Sequence, residues 1–409
     1  MSAAGRNRRI LFIGLNYAPE PIGIGPYSAG LLEALAERGH EVRAIVGQPY
    51  YPDWKTHDLL RGRWSTAHEN GVTITRCPHY IPANPTGRRR MAHHMSFASS
   101  AYPAARQARR ELKPDLVMTV APSLISAPVA ARMARRAGVP LWLHVQDFEV
   151  GAARATGLLG AGRVADAALR FERRALASAN VVSTISEPMR HLLAEKGVDP
   201  AKIFELRNWA NHAAPAGNRN YRGEWNLGEK FVALYSGNIA NKQGLEIVIE
   251  AARLLSHRDD MRIIICGEGP NRTRLEELAQ GLANVQFHDL QPAEDVVDLL
   301  QMADLHLLPQ LAEAEDLVLP SKLGNMLSSG RPVLATAHRG SGIASEVEGA
   351  GAIVPPGDPQ ALAWAMERLA DDPASRARLG EGARHAAVER WSKGMIIDRF
   401  EAAMQDLLG

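Results

Sequence analysis

Residues 9–47 read RILFIGLNYAPEPIGIGPYSAGLLEALAERGHEVRAIVG. Within them, an apolar run at Ile10–Gly14 precedes an amphipathic, Ala- and Leu-rich segment at Tyr27–Arg38, and a second apolar run follows at Val42–Val46. Short apolar runs that alternate with segments of helical period predict parallel strands joined by crossover helices. This stretch therefore predicts an α/β protein.

The same alternation continues along the chain and lapses at residues 208–230, which are rich in Asn, Gly and Ala and predict a linker. Two doubly wound, Rossmann-like domains are therefore expected. Further strands are predicted at Val72–Arg76, Leu116–Val120, Leu141–Val145, Val181–Ile185, Ile203–Leu206, Phe231–Tyr235, Met261–Cys266, Val285–His288, Leu305–Leu308, Pro332–Ala335 and Ala352–Val354. Further helices in the first half are predicted at Ala92–Leu112, Ile125–Ala137, Val164–Ala179 and Glu187–Lys196.

The composition restricts the class of protein. The two cysteines, Cys77 and Cys266, both lie in predicted strands, which excludes a disulfide framework and favours a reducing compartment. The longest uncharged stretch, Leu116–Ala131, is shorter than the ~20 residues of a membrane helix, so no transmembrane span is predicted. A cytoplasmic enzyme is expected.

The net charge of +2 hides an asymmetry. Residues 1–210 hold 28 Lys and Arg against 17 Asp and Glu, whereas residues 211–409 hold 19 against 28. A basic first half predicts an anionic partner such as a phospholipid surface, a phosphorylated acceptor or nucleic acid. A solvated, Arg-rich face without a partner explains the pattern equally well.

Ligands of doubly wound sheets bind beyond the carboxyl ends of the strands, so the loops there hold the candidate residues. In the first domain, Gly23 and Gly25 allow close backbone approach to a ligand, although a flexible turn also explains them. They lie too far from the strand for a dinucleotide fingerprint, which argues against an NAD enzyme. Asp147 and Glu149 follow a later strand, and Asp147 is a candidate to orient or deprotonate an acceptor hydroxyl, with helix capping or a salt bridge as the alternative. His144 is predicted to be a core histidine.

In the second domain, two loops have glycines between a strand and a helix. Gly237 and Gly244 bracket the first loop, whose amides and Lys242 form a predicted anion cradle. Gly267 begins the second loop. Two such loops in one domain favour phosphate binding more than either alone.

The most informative segment is LVLPSKLGNML at residues 317–327. Pro320 is predicted in the first turn of a helix, where Ser321, Lys322 and free N–H groups point at one spot and suit a pyrophosphate. Asn325, about one turn further along the same face, is a candidate for a ribose hydroxyl. A lysine opposes the dipole at a helix start, which favours a bound anion over simple solvation.

In order and spacing these loops resemble the GT-B, family-4-like retaining glycosyltransferases, and more narrowly the colanic-acid-type exopolysaccharide transferases of bacteria. The resemblance covers nearly the whole chain and implies domains at residues 1–207 and 208–390 that face each other across a cleft. It also implies a last helix, residues 391–409, that packs back on the first domain. The motifs that carry it are IGIGPYS at 22–28, QPYYPDW at 48–54, HVQDFEV at 144–150, VSTIS at 182–186, YSGNI at 235–239, KQGLE at 242–246 and LPSKL at 319–323.

The resemblance implies a role for each candidate residue. The sequence departs from the family pattern at two positions. Asn238 stands where most members have Arg, and Asn325 stands where they have the second glutamate of a Glu-x7-Glu pair. A carboxylate contact to the ribose is therefore in doubt. Donor binding is implied for Gly23, Gly25, Gly237, Asn238, Lys242, Gly267, Leu290, Pro320, Ser321, Lys322 and Asn325, acceptor binding for Tyr27, Tyr51, Asp147 and Glu149, and catalysis for Asp147, Lys322 and Asp316.

The implied activity is retaining transfer of a sugar from a nucleoside diphosphate sugar to a lipid-linked oligosaccharide in exopolysaccharide biosynthesis, with GDP-fucose suggested as donor. Neither a metal nor a cofactor besides the nucleotide sugar is predicted. Arg88–Arg90, with Arg106, Arg109 and Arg110, are predicted to meet anionic lipid at the inner face of the membrane or the acceptor pyrophosphate.

Two alternatives remain at this point. A GT-B nucleotide-sugar epimerase would need acid/base pairs and would act without an acceptor. A nucleic-acid-binding protein is disfavoured, since the sequence lacks interleaved aromatics and a recognisable binding module.

Overall fold

A computed structural model describes residues 6–21, 23–55, 62–148, 162–210, 217, 219–240, 243–311, 319–320 and 322–409. The chain divides into two compact units, residues 1–207 with 397–409, and residues 208–396. The second boundary differs from the predicted one, because residues 391–396 belong to the second unit and the chain joins the first unit at Ile397.

The first unit is built on a sheet of eight strands within the described ranges. They are β1 Arg9–Gly14, β2 Glu41–Gly47, β3 Ser65–Glu69, β4 Val72–Cys77, β5 Leu116–Ala121, β6 Leu141–Val145, β7 Val181–Thr184 and β8 Ile203–Glu205. Their order is β3-β4-β2-β1-β5-β6-β7-β8, and β3 pairs antiparallel with β4 while the remaining pairs are parallel. β3 was not predicted, because its exposed side chains give no apolar pattern.

Helices cover the sheet of the first unit. Pro26 lies in the first turn of the first helix, where the missing N–H of proline removes no hydrogen bond. The buried side chains of Leu11 and Ile13 pack with the second and third helices on one face of the sheet. These helices are α1 Gly25–Glu37, α2 Gly87–Leu112, α3 Ala127–Ala137, α4 Arg163–Ala177 and α5 Glu187–Glu195.

The second unit contains a sheet whose described strands are all parallel. They are β9 Phe231–Ser236, β10 Met261–Cys266, β11 Val285–His288, β12 Leu305–Leu308, β13 Val333–Thr336 and β14 Gly351–Val354. The order is β11-β10-β9-β12-β13-β14. Parallel strands buried on both faces are apolar throughout, which explains why the sequence pattern located them well.

The helices of the second unit lie on both faces of its sheet. Ala233 and Tyr235 belong to one core cluster, whereas Val232 and Leu234, between them in sequence, belong to another. This alternation confirms a doubly wound arrangement in this unit. The helices are α6 Tyr221–Glu224, α7 Glu246–Leu254, α8 Arg272–Leu278, α9 Val296–Met302, α10 Lys322–Ser328, α11 Gly342–Val347, α12 Pro359–Asp371 and α13 Pro373–Trp391, and α14 Lys393–Leu408 runs from this unit into the first.

The predicted linker is wrong for its later part. Tyr221 and Leu227 are 1% and 0% exposed and pack with Val232 on the second sheet. Aromatic and aliphatic side chains at irregular spacing fill a core without producing a periodic pattern, so the sequence did not reveal them.

The predicted last helix begins two residues later, since α13 ends at Trp391 and α14 starts at Lys393. From Ile397 onward, α14 packs within the first unit. The ring centroid of Phe400 lies 4.7 Å from that of Trp142, and Arg38 forms ion pairs with Asp398 and Glu401. Among the residues that the structure describes, no helix is both long and apolar enough to cross a membrane.

Candidate active site

The donor-side candidates converge at the carboxyl ends of β9 and β10. The two loops stay paired beyond the strands, since Gly237 N donates to Cys266 O (2.9 Å) and Ile239 N donates to Glu268 O (2.7 Å). At Gly267, φ is 150° and a Cβ would lie 1.9 Å from the carbonyl oxygen of Gly237. A side chain does not fit there, so Gly237 and Gly267 form a backbone-lined rim that we call the glycine edge.

The ammonium of Lys322 reaches the glycine edge from α10. A Cβ on Gly237 would lie 3.9 Å from Lys322 Nζ and 3.9 Å from the hydroxyl oxygen of Tyr235. Asn238, the next residue, is exposed. The structure thus brings together four residues predicted for donor binding, namely Gly237, Asn238, Gly267 and Lys322.

Tyr235, which the sequence analysis missed, lies beneath this lysine. Lys322 Nζ is 4.0 Å from the centroid of the Tyr235 ring, and the Tyr235 hydroxyl donates to the carbonyl oxygen of Asn238 at 2.6 Å. Burial raises the pKa of Tyr235 above its ordinary value, so the hydroxyl keeps its proton. A polar aromatic residue at the glycine-flanked end of an aliphatic strand was the signal that could have revealed it.

The structure corrects the predicted position of Pro320 and agrees with that of Asn325 on α10. Pro320 is not in the first helical turn, because α10 begins at Lys322, and the Pro320 carbonyl instead accepts from Leu323 N (2.9 Å). Asn325 lies on α10, half-buried and three residues after Lys322, as the helical period requires.

Arg272 joins the loops that follow β10 and β11. Its guanidinium donates to Gly267 O (3.0 Å) and forms ion pairs with Glu268 (2.8 Å) and Asp289 (2.7 Å). Because carboxylates already balance its charge, Arg272 fixes these loops and is a poor candidate for a phosphate ligand. The adjacent Leu290, which the family resemblance implies binds the donor, is 62% exposed and presents an apolar surface.

In the first unit, a buried carboxylate organises the loop between β1 and α1. Glu20 is 3% exposed and accepts from Asn16 Nδ2 (2.9 Å) and from the backbone N–H groups of Tyr50 and Tyr51 (3.2 Å each). Burial raises the pKa of Glu20, and these hydrogen bonds oppose the increase. A Cβ at Gly25 would lie 3.3 Å from Glu20 Oε2, so the glycine makes room for this carboxylate.

Three of the predicted acceptor residues, Tyr27, Tyr51 and Asp147, lie in the described part of the first unit. A Cβ on Gly23 would be 3.7 Å from a ring carbon of Tyr51, which makes the two residues neighbours. Tyr27 is half-buried in the first turns of α1, and Asp147 is exposed directly after β6. The structure thus places Gly23 beside Tyr51.

His144 is a core histidine, as predicted. Its Nδ1 lies 3.0 Å from Ser183 Oγ and its Nε2 lies 3.3 Å from Gln146 Oε1. Burial lowers the pKa of His144 to about 4, so the ring is neutral near pH 7. Four other candidates, Glu149, Lys242, Asp316 and Ser321, lie outside the described residues.

Comparison with known proteins identifies the two units. Residues 23–209 match a family model described as a glycosyl transferase 4-like domain, and residues 218–386 match the glycosyl transferases group 1 model. The putative colanic acid biosynthesis glycosyl transferase WcaI of Escherichia coli K12 is 42% identical over 81% of this chain and 83% of its own length. Alpha-D-kanosaminyltransferase of Streptomyces kanamyceticus is 28% identical over 67% of this chain and 72% of its length.

Solved structures share the fold. Sucrose-phosphate synthase from Thermosynechococcus elongatus superposes with a TM-score of 0.70 at 19% identity and covers 98% of this chain and 99% of its own. HepE from Anabaena in complex with UDP gives a TM-score of 0.67 at 17% identity, over 97% of this chain and 100% of its own. At such identities the likeness concerns the fold, and it agrees with the two parallel-sheet units described above. The chain therefore belongs to the GT-B glycosyltransferases that combine a 4-like domain with a group 1 domain.

Proposed function

We propose that this glycosyltransferase moves a sugar from a nucleoside diphosphate sugar to a lipid-linked saccharide in bacterial exopolysaccharide biosynthesis, with retention of anomeric configuration. The observation that carries the proposal is the ammonium of Lys322 beside the glycine edge at the carboxyl ends of β9 and β10. The relative named for colanic acid biosynthesis supports the pathway. Structural relatives in complex with UDP or UDP-sugars support the class of donor.

The chemistry of the leaving group explains why a lysine is needed there. As the glycosidic bond breaks, negative charge builds on the diphosphate, and a fixed ammonium stabilises that charge more in the transition state than in the bound substrate. Lys322 supplies this charge in the proposal, and Lys242 adds to it. The exposed Leu290 offers an apolar surface to the base, and Asn325 offers an amide to the ribose.

The proposed reaction proceeds on one face of the sugar. The bond from the anomeric carbon to the diphosphate breaks, the acceptor hydroxyl oxygen bonds to the same face, and its proton passes to a departing phosphate oxygen. In this proposal Asp147 orients the acceptor hydroxyl, and Asp316 is assigned to the donor sugar. The nucleotide sugar is the substrate, and the proposal includes neither a metal nor another cofactor. GDP-fucose is the donor to test first.

We also propose that the first unit contacts an anionic membrane surface, where a lipid-linked acceptor would be found. Arg88–Arg90 at the start of α2 are exposed, and so are Arg106 and Arg110 near its end. Met91 and Met95, between them on the outward side of α2, are 52% and 56% exposed. Arginines attract acidic headgroups, while exposed apolar side chains favour the headgroup boundary.

Thermal unfolding with candidate ligands tests the donor site first. A ligand at about 100 times its dissociation constant adds about 2.7 kcal/mol to the folded state. A nucleoside diphosphate among UDP, GDP and ADP is expected to stabilise the wild type, and Lys322→Ala is expected to abolish the shift. Lys230→Ala is the matched control, because Lys230 lies just before β9 at the opposite end of the sheet. Stabilisation by NAD or short RNA alone would contradict the proposal.

Turnover tests the chemistry. Removing one charge-stabilising donor lowers kcat by about 100- to 1000-fold. We therefore expect Lys322→Ala to lose most sugar transfer while Lys230→Ala keeps it. The anomeric configuration of the product, determined by NMR, should match that of the donor, and an inverted product would refute retention.

A further inference from the structure

We propose that Tyr235 is a positioning residue of the donor site, which holds the ammonium of Lys322 at the glycine edge to receive a diphosphate. The inference rests on the donor site proposed above and adds to it the residue that orients its cation. Tyr235 belongs to β9 and is 0% exposed, so its ring is a fixed surface.

The Gly237 backbone, the Lys322 ammonium and the Tyr235 side chain meet at one point of the glycine edge. The space beside the Gly237 Cα, where a Cβ would stand, is 3.9 Å from Lys322 Nζ and 3.9 Å from the Tyr235 hydroxyl oxygen. The ammonium lies 4.0 Å from the Tyr235 ring centroid. The ring therefore supports the ammonium on one side while the backbone of Gly237 borders it on another.

An aromatic ring suits this task better than a carboxylate. A lysine side chain has many rotamers, and a fixed position for its ammonium must be stabilised by a neighbour. A carboxylate would cancel the positive charge, whereas a ring face attracts the ammonium through its quadrupole and leaves the charge intact. The contact with the ring therefore helps to position the ammonium without neutralising it.

The hydroxyl of Tyr235 fixes the backbone of the same loop. It donates to the carbonyl oxygen of Asn238 at 2.6 Å, one residue after Gly237. Because burial keeps the hydroxyl protonated, this hydrogen bond persists at neutral pH. One side chain therefore contacts both the cation and the backbone that border the predicted diphosphate.

Tyr235 also packs in the core with Ile239 and Leu245, so a loss of stability on mutation would not by itself identify a positioning role. A second ring on the same strand provides a matched control. Phe231 lies at the other end of β9, and the guanidinium carbon of Arg376 is 5.3 Å from its ring centroid. Phe231→Leu removes a buried ring and a cation–π contact that are both remote from the glycine edge.

The experiment is a double-mutant cycle on the full chain, with dissociation constants for UDP, GDP and the matching nucleosides from calorimetry. Tyr235→Leu is expected to weaken binding of the preferred diphosphate by about tenfold, within the roughly 2- to 30-fold range of such contacts, and to leave nucleoside binding unchanged. In a Lys322→Met background, the same change is expected to weaken diphosphate binding by less than in the wild type, because only the hydrogen bond to the Asn238 carbonyl is then lost. Phe231→Leu is expected to bind as the wild type does.

Tyr235→Phe and its pentafluoro analogue cover the case in which Tyr235→Leu does not fold. Both variants lack the hydroxyl and differ only in the electrostatics of the ring. Fluorination keeps the shape of the ring but removes the negative potential of its face, so the fluorinated variant should bind the diphosphate more weakly than Tyr235→Phe does. Additive effects in the cycle, equal losses for nucleoside and diphosphate, or indifference to fluorination would each overturn the inference. If the wild type binds none of UDP, GDP and ADP, the donor site fails and the inference fails with it.

Discussion

Gly267→Ala is the substitution whose effect the structure defines most sharply. The added methyl carbon would lie 1.9 Å from the Gly237 carbonyl oxygen and 2.9 Å from its carbonyl carbon. The two loops of the glycine edge must therefore separate by roughly 1 Å or more to restore van der Waals contact. We expect this opening to draw Gly237 away from Lys322 and to abolish nucleoside diphosphate binding.

The expected loss of stability has two parts. At φ 150°, a side chain strains the backbone by about 1–3 kcal/mol. The overlap with Gly237 adds about 1–3 kcal/mol, as for other overpacked sites. For a unit of this size each kcal/mol lowers the melting temperature by about 2–4 °C.

Gly281→Ala separates strain from overlap. Gly281 lies in the same unit with φ 81°, and a Cβ there would meet no atom within 4 Å. Both variants should have a lower melting temperature than the wild type in differential scanning calorimetry. The decrease for Gly267→Ala should exceed that for Gly281→Ala by about 2–12 °C. In calorimetric titration with UDP and GDP, Gly281→Ala should bind normally, whereas Gly267→Ala should not bind. Equal stabilities and normal binding in both variants would refute the reasoning.

Three further predictions concern the first unit. Burial raises the pKa of Glu20, so the carboxyl group contributes its full stability below the ordinary value of 4.5, and that contribution is lost as pH rises through the folded pKa. Glu20→Gln should therefore gain stability relative to wild type as pH rises above the ordinary value of 4.5 in urea titrations, and a difference independent of pH would contradict this. Burial lowers the pKa of His79 to about 4 and of His93 to about 3, so their contribution is present above the ordinary value of 6.5 and lost as pH falls from there. His93→Phe should therefore flatten the pH dependence of unfolding between pH 6.5 and 3, as followed by tryptophan fluorescence, and an unchanged slope would exclude His93 as its source. Arg106→Ala and Arg110→Ala should each weaken binding to acidic liposomes by about fivefold at low salt in sedimentation assays, whereas indifference to salt and lipid charge would remove the membrane proposal.

The fold could be predicted where the sequence has strong periodicity. The strands from Leu141 and Met261 have the predicted bounds because they are buried on both faces and end where polar or turn-forming residues begin. The edge strand Ser65–Glu69 and the packed segment around Tyr221 escaped prediction, because neither has a period of alternating polarity. The start of α2 was also misplaced, because the helix begins at Gly87, just before a run of three arginines, rather than at the predicted Ala92.

The candidate site could be predicted in part. Gly237, Gly267 and Lys322 were identified because glycines and a lysine between strand and helix have few purely structural explanations. Tyr235 and Glu20 were missed, since their roles depend on contacts with residues distant in sequence. The Glu20 carboxylate bonds the backbone of Tyr50 and Tyr51, and the Tyr235 ring meets an ammonium from α10.

The sequence by itself determined the two α/β units, the order of their loops and the residue types that could meet an anion, because periodicity and turn chemistry are local properties of the chain. The tertiary structure alone decided which of these residues meet. Parallel pairing of β9 with β10 brings Gly267 against the Gly237 carbonyl, and the course of the chain returns Lys322 to the ring of Tyr235. Such contacts depend on strand register and on close packing between residues far apart in sequence, which no local pattern encodes.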